Sequence, residues 1–212
     1  DELVGNWTRS SDFDGDVRSE AITFMIGDNI YLATGTSQSE RYRDLWEYNL
    51  SRRYWSQVAD LPEAAPARNS AVAFVIGDKG YVGAGYDGAN RLKDFWRYDP
   101  VNNLWEPIKP FGGSGRYDAI AFSVNGKGYV GSGFDGGYLK DLWEYNPASD
   151  TWQQKASIGD LKRSQSVAFV VNNKAYVCSG NNNGSALNDL WVYDDANDTW
   201  AEKRKISNVS DE

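Results

Sequence analysis

The chain contains no histidine. That absence removes Ser-His-Asp triads, His-ligated zinc or copper, and imidazole acid–base chemistry. A single cysteine, Cys178, excludes an intrachain disulfide and a cysteine zinc cluster. No apolar run approaches the ~20 residues that a membrane-spanning helix needs. Cationic charge is also scarce: 22 basic residues against 30 acidic ones give a net charge of −8. A general attraction to nucleic acid or to an anionic membrane is therefore not expected. With 41% apolar and 25% charged residues over 212 positions, the composition is that of a folded chain with a sizeable core. What the chain has in excess is aromatic: nine Trp and thirteen Tyr. Those rings are either ligand platforms or repeated core.

Self-similarity decides between these readings. Aligning Arg18, Arg68, Arg116 and Arg163 places a Tyr thirteen residues later each time: Tyr31, Tyr81, Tyr129 and Tyr176. Seventeen residues after each Arg stands a Gly: Gly35, Gly85, Gly133 and Gly180. Next comes Asp-x-Trp-x-Tyr, as Asp44, Trp46, Tyr48; Asp94, Trp96, Tyr98; Asp141, Trp143, Tyr145; and Asp189, Trp191, Tyr193. A second Trp follows seven residues after that Tyr: Trp55, Trp105, Trp152 and Trp200. The repeat periods are 50, 48 and 47 residues, and with Trp7 every tryptophan is assigned. Rings that recur in register are core.

Each unit reads as four short strands. In the second, Ala71–Ile76 is an apolar run, Gly77–Gly80 a tight turn, and Tyr81–Gly85 a strand rich in small residues. Asp94–Tyr98 places Trp96 and Tyr98 on one face at period two; after the turn at Asp99–Asn103, Leu104–Glu106 opens the fourth strand. No segment has helical periodicity. A lone four-stranded sheet leaves both faces uncovered, and stacking copies about an axis covers them, which makes a β-propeller. The period, the Asp-x-Trp-x-Tyr strand and the Trp seven residues on resemble the kelch repeats. The resemblance implies an all-β kelch propeller of four four-stranded blades, over units at about 18–58, 68–108, 116–155 and 163–203 within a single domain, 1–212. One departure stands out. The family usually ends its second strand in Gly-Gly, whereas here the pairs are Thr34-Gly35, Ala84-Gly85, Ser132-Gly133 and Ser179-Gly180. That shades the likeness toward bacterial, galactose-oxidase-like kelch proteins, and by analogy toward an extracytoplasmic location.

Trp7 reads as part of an extra closing strand, 1–10, with no first three strands before it. Kelch rings usually have six or seven blades, so the sequence reads as part of a longer propeller. A compact ring with Trp7 on an added edge strand, or pairing between chains, are the alternatives. Further blades would then come from a missing C-terminal part or from another chain.

In kelch proteins the loops at one end of the channel bind partners or substrates. The resemblance places Arg18, Arg68, Arg116 and Arg163 at that mouth, as guanidinium groups able to hold carboxylates. The competing reading is that each Arg bonds loop carbonyls or an Asp of its own blade. The recurring aspartates, Asp44, Asp94, Asp141 and Asp189, suit either acid–base work or junction hydrogen bonds. Tyr86-Asp87-Gly88 and Phe134-Asp135-Gly136 pair a ring with a carboxylate, which suits a sugar and equally suits a plain turn; Tyr138 and Asn182 lie on the same loops. Asp12–Asp16 looks like half of a calcium loop, but Val17 and Thr23 stand where an EF-hand needs Gly and Glu. No metal and no cofactor is expected. The leading function is a binding module that presents its loop face to a protein or glycan. The alternative is a carbohydrate-active enzyme of the sialic acid mutarotase type, which needs only Arg, Asp and Glu in the channel. A galactose oxidase copper site is excluded for this segment, because it lacks histidine.

Overall fold

The computed structural model describes residues 9–204. They form four antiparallel four-stranded sheets and no helix. Blade 1 holds β1 (Ile22–Ile26), β2 (Asn29–Ala33), β3 (Leu45–Asn49) and β4 (Tyr54–Val58). Blade 2 holds β5 (Val72–Ile76), β6 (Lys79–Gly83), β7 (Phe95–Asp99) and β8 (Leu104–Ile108). Blade 3 holds β9 (Ile120–Val124), β10 (Lys127–Gly131), β11 (Leu142–Asn146) and β12 (Thr151–Lys155). Blade 4 begins with β13 (Val167–Val171) and β14 (Lys174–Cys178). A short hairpin follows, β15 (Asn181–Asn182) with β16 (Ser185–Ala186), before β17 (Leu190–Asp194) and β18 (Thr199–Lys203) complete the blade. Every blade is a simple up-and-down meander. The predicted all-β propeller of four blades is what forms. The extra strand expected over 1–10, with Trp7, lies outside the described residues except for Arg9 and Ser10, which belong to no strand.

The second strand of blade 2 starts two residues earlier than its sequence pattern suggests, because Ile76 pairs with Lys79 across a two-residue turn at Gly77-Asp78. Gly80 is thereby inside the strand. A Cβ there would sit 2.4 Å from the Phe24 ring of blade 1, so the glycine is required by close packing between blades. Gly128 takes the same place against Phe74.

The first strands face the axis: β1 packs on β5, β5 on β9 and β9 on β13. Small residues line the channel they enclose, among them Ala21, Ala71, Ala119 and Ser166. Between blades lie three aromatic cores. In each, a stacked Phe–Tyr pair on the first two strands of one blade meets the third-strand Tyr of the next, Tyr31 on Tyr98, Tyr81 on Tyr145 and Tyr129 on Tyr193, all at 5.6 Å. Burying such rings contributes roughly 1.5–3 kcal/mol each. In blades 2, 3 and 4 the second Trp of the repeat fastens the joint. Trp105, Trp152 and Trp200 donate their indole N–H to Ala59, Lys109 and Ala156, which follow the last strand of the preceding blade. The recurring tryptophans are mortar. Cys178 aligns with the buried Ala33 but is only half-buried, because no described blade follows its own.

Candidate functional site

The repeating arginines are latches inside the blades. Arg68 reaches from the start of blade 2 to the residue just before its third strand, placing Nη1 2.8 Å from Asp94 Oδ1 and Nη2 2.6 Å from Oδ2. Its Nη1 also donates to the Ala84 carbonyl, and its Nε to that of Pro66. Arg116 does the same with Asp141 and Ser132, and Arg163 with Asp189 and Ser179. Arg18 holds Asp44 and the Thr34 carbonyl. Arg68, Arg116 and Arg163 are at most 1% exposed. Their donor forks are already filled, so the reading of these four side chains as a ligand-facing ring gives way to the scaffold reading.

The latch also accounts for the missing first glycine. Thr34, Ala84, Ser132 and Ser179 all adopt a left-handed backbone, with φ between 53° and 62°. That conformation costs a non-glycine residue roughly 1–2 kcal/mol. Each of their carbonyls accepts the arginine bond just described, which holds the turn in place. The aspartates carry a third bond, from the indoles of Trp46, Trp96, Trp143 and Trp191. Burial pushes the Asp94 and Asp189 carboxyls up, but the arginine bonds and charge outweigh it and hold both below the ordinary value. Their stabilisation is therefore complete above the ordinary carboxylate pKa and is lost as the pH falls through the lower, folded one.

Immediately after each latch the chain turns into the channel mouth. Glu20, Ser70, Asp118 and Gln165 occupy this place in the four blades, all at positive φ. Their main chains bond in sequence across the blades, Ser70 N to Glu20 O, Asp118 N to Ser70 O and Gln165 N to Asp118 O. These four residues, with Arg41, Asn69, Tyr86, Arg91 and Tyr117, line a cleft of about 460 Å³. Rings run along it: Tyr86 lies 5.6 Å from Tyr117, and Tyr117 5.6 Å from Phe134. Arg41 sits over Tyr86 and Arg91 over Phe134. Arg41 donates to Asn69 Oδ1 at 2.6 Å, and Glu20 accepts from Asn69 and Ser70. Arg91 bonds to no carboxylate among the described residues and is exposed. Burial pushes the Asp118 carboxyl up and nearby Glu20 adds to this, against hydrogen bonds from Ser70 and Gln165.

Of the residues expected on the loops, Tyr86 lines this cleft and Phe134 continues its row of rings. Tyr138 meets Phe134 edge-on and bonds Asn181. Asp87 and Asp135 behave as turn residues, Asp87 accepting from Ala89 and Asn90 and Asp135 from Ser114 and Gly137. Asn182 pairs with Ser185 in the small hairpin. The loops 36–43 and 86–91, expected at the binding surface from the sequence, supply Arg41 and Arg91, which the sequence does not single out; Tyr117 and Asp118 carry no sequence expectation as site residues. One internal signal marks part of this set: at the two positions after each latch the repeats read Ser-Glu, Asn-Ser, Tyr-Asp and Ser-Gln. Variation at a fixed register of an otherwise regular repeat marks a surface that the scaffold does not constrain.

Comparison with known proteins bears on this arrangement. Residues 7–115 match the family model of the KLHDC2/KLHL20/DRC7 Kelch-repeats domain, and residues 162–204 match the Kelch motif. No curated protein matches the chain in sequence. The fold is similar to that of the solved structure of YjhT, with a TM-score of 0.81 and 16% identity over 95% of this chain and 75% of that one.

Proposed function

Because this chain belongs to the kelch-repeat family of β-propellers, we propose that it is a binding module whose ligand, a glycan, seats in the cleft at the channel mouth. The observation that carries this reading is the row of Tyr86, Tyr117 and Phe134 rings with the exposed Arg91 guanidinium, which bonds to no carboxylate among the described residues, beside it. Sugar rings present apolar C–H faces that lie against aromatic rings. Their neighbouring hydroxyls pair with planar side chains, which Arg91, Asp118 and Gln165 supply around the opening. An extracytoplasmic location, implied by the likeness to bacterial surface proteins, fits a ligand of that kind.

Proton NMR titration against a panel of mono- and oligosaccharides tests the proposal. Wild type broadens or shifts the signals of at least one sugar. Arg91→Ala weakens that binding about tenfold or more, with an unchanged unfolding midpoint. A panel with no binder removes the glycan and leaves a protein ligand for the same face; a binder indifferent to Arg91→Ala refutes the cleft.

A second reading, sugar mutarotation, is favoured by Asp118 and Glu20 lining the same cleft, two carboxyls suited to passing a proton to and from an anomeric centre, with burial pushing the Asp118 carboxyl up. The same spectra report anomer exchange. Acceleration over buffer that Asp118→Asn abolishes supports catalysis, and exchange at the buffer rate eliminates it.

A further inference from the structure

The loops between second and third strands interlock across the blades by a repeated device. Thr36 pairs with Arg41, Tyr86 with Arg91 and Phe134 with Tyr138 through isolated β-bridges, so each loop presents two side chains at fixed places. The second side chain of one loop lies over the first of the next: Arg41 over Tyr86 at 5.3 Å, and Arg91 over Phe134 at 5.6 Å. The residue after the latch completes each set by bridging to the same ring residue, Asn69 to Tyr86 and Tyr117 to Phe134. Two blade-related copies of one arrangement therefore stand side by side. The first is Arg41 with Asn69 and Tyr86; the second is Arg91 with Tyr117 and Phe134. They differ at one place: Asn69 accepts a bond from Arg41 Nε at 2.6 Å, whereas Tyr117 supplies a ring.

That ring joins the two copies. Tyr117 lies 5.6 Å from Tyr86 and 5.6 Å from Phe134, and Tyr138 continues the row 5.3 Å beyond Phe134. The row thus runs unbroken from the cleft, which Tyr86 and Tyr117 line, out to the loop of blade 3. Its members are inclined to one another, by 48° between Tyr86 and Tyr117 and by 52° between Tyr117 and Phe134. A pyranose chair is rigid, and its flat apolar face lies against one of these rings at a time. Covering the row takes consecutive units joined by rotatable glycosidic bonds. The step between rings is close to the length that one pyranose adds to a chain. Guanidinium forks stand beside the first and last rings, at one-blade spacing, and offer paired donors to sugar hydroxyls.

We propose that the cleft takes a linear oligosaccharide of at least three pyranose units, laid along Tyr86, Tyr117 and Phe134 with one unit to each ring. The proposal rests on the glycan reading above and names the form of the ligand: a stretch of a polysaccharide chain, not a free monosaccharide.

Isothermal titration calorimetry tests this with glucose, mannose, galactose and N-acetylglucosamine and their linear oligomers of two, three and four units. In the series that binds, the dissociation constant falls about tenfold or more from one unit to three and levels off at four. Phe134→Leu keeps most of the bulk of the side chain but not its flat face. It returns the trimer to about the affinity of the dimer and leaves the affinity of the shorter sugars unchanged. Tyr117→Leu breaks the row in its middle, weakens the trimer about tenfold, and serves where the unfolding midpoint shows that Phe134→Leu is not native. A monosaccharide that binds as tightly as its trimer overturns the proposal and leaves the glycan cleft standing. A gain with length that both native variants retain does the same. No binding by any sugar of any length overturns this proposal and the glycan reading together.

Discussion

Arg116→Ala lowers the stability of the fold by about 3–5 kcal/mol, the range for removing one partner of a buried ion pair. The arginine is 1% exposed and ties three points together: Asp141 immediately before the third strand, the Ser132 carbonyl at the left-handed turn, and the Ser114 carbonyl at the blade entrance. Its removal leaves the Asp141 carboxylate, among the described residues, with the Trp143 indole as its remaining side-chain donor. It also frees a turn whose φ of 53° a serine does not favour. Urea denaturation followed by tryptophan fluorescence measures the loss as a fall in midpoint at constant slope. Arg116→Lys keeps the charge but not the planar fork, and lies between wild type and Ala. Replacing Arg68, Arg116 and Arg163 together therefore unfolds the domain, and cannot serve as a test of ligand binding. A triple Ala variant as stable as wild type would show that these arginines are not latches.

Trp105→Ala costs about 3–5 kcal/mol, as expected for emptying a large, well-packed aromatic site. Trp105 is 6% exposed, packs on Tyr98 at 5.0 Å and donates to the Ala59 carbonyl at 2.7 Å. Around it the joint is doubly tied, because Asn103 Oδ1 accepts both the Ala59 N–H and the Tyr98 hydroxyl. Losing the indole opens a cavity between blades 1 and 2 and leaves a carbonyl without its donor. Trp105→Phe retains most of the volume and loses the hydrogen bond, so it costs about 1–3 kcal/mol. Differential scanning calorimetry reads both as lowered transition temperatures, and a Trp105→Ala protein that melts with wild type contradicts the mortar role.

Most of the scaffold was legible because it repeats. The Arg, Asp and both Trp positions recur in register, and the structure joins them within and between blades. Even the departure from Gly-Gly had a local physical cause, a left-handed residue whose carbonyl the latch holds. The cleft was harder to read for the opposite reason. Arg41 and Arg91 share a register, 23 residues after the latches Arg18 and Arg68, but blades 3 and 4 do not repeat it, and with Tyr117 they come together only when three blades bring their loops around one axis. Tyr86 and Phe134 stand beside Asp87 and Asp135 in the sequence, but the rings join the cleft row while Asp87 closes its own turn and Asp135 bonds both its turn and Ser114. Sequence adjacency suggested a shared task that backbone geometry divides.

The measurement that bears most directly on the tryptophans as mortar is hydrogen exchange at their indole N–H groups, followed by NMR on protein labelled with 15N-tryptophan. The N–H groups of Trp46, Trp96, Trp143 and Trp191 bond to aspartates, and those of Trp105, Trp152 and Trp200 to carbonyls of the preceding blade. These seven signals exchange slowly, and the three cross-blade ones are lost only with global unfolding. Seven indoles exchanging at the rate of free tryptophan would mean that the rings face water and that the blades are held together by something else.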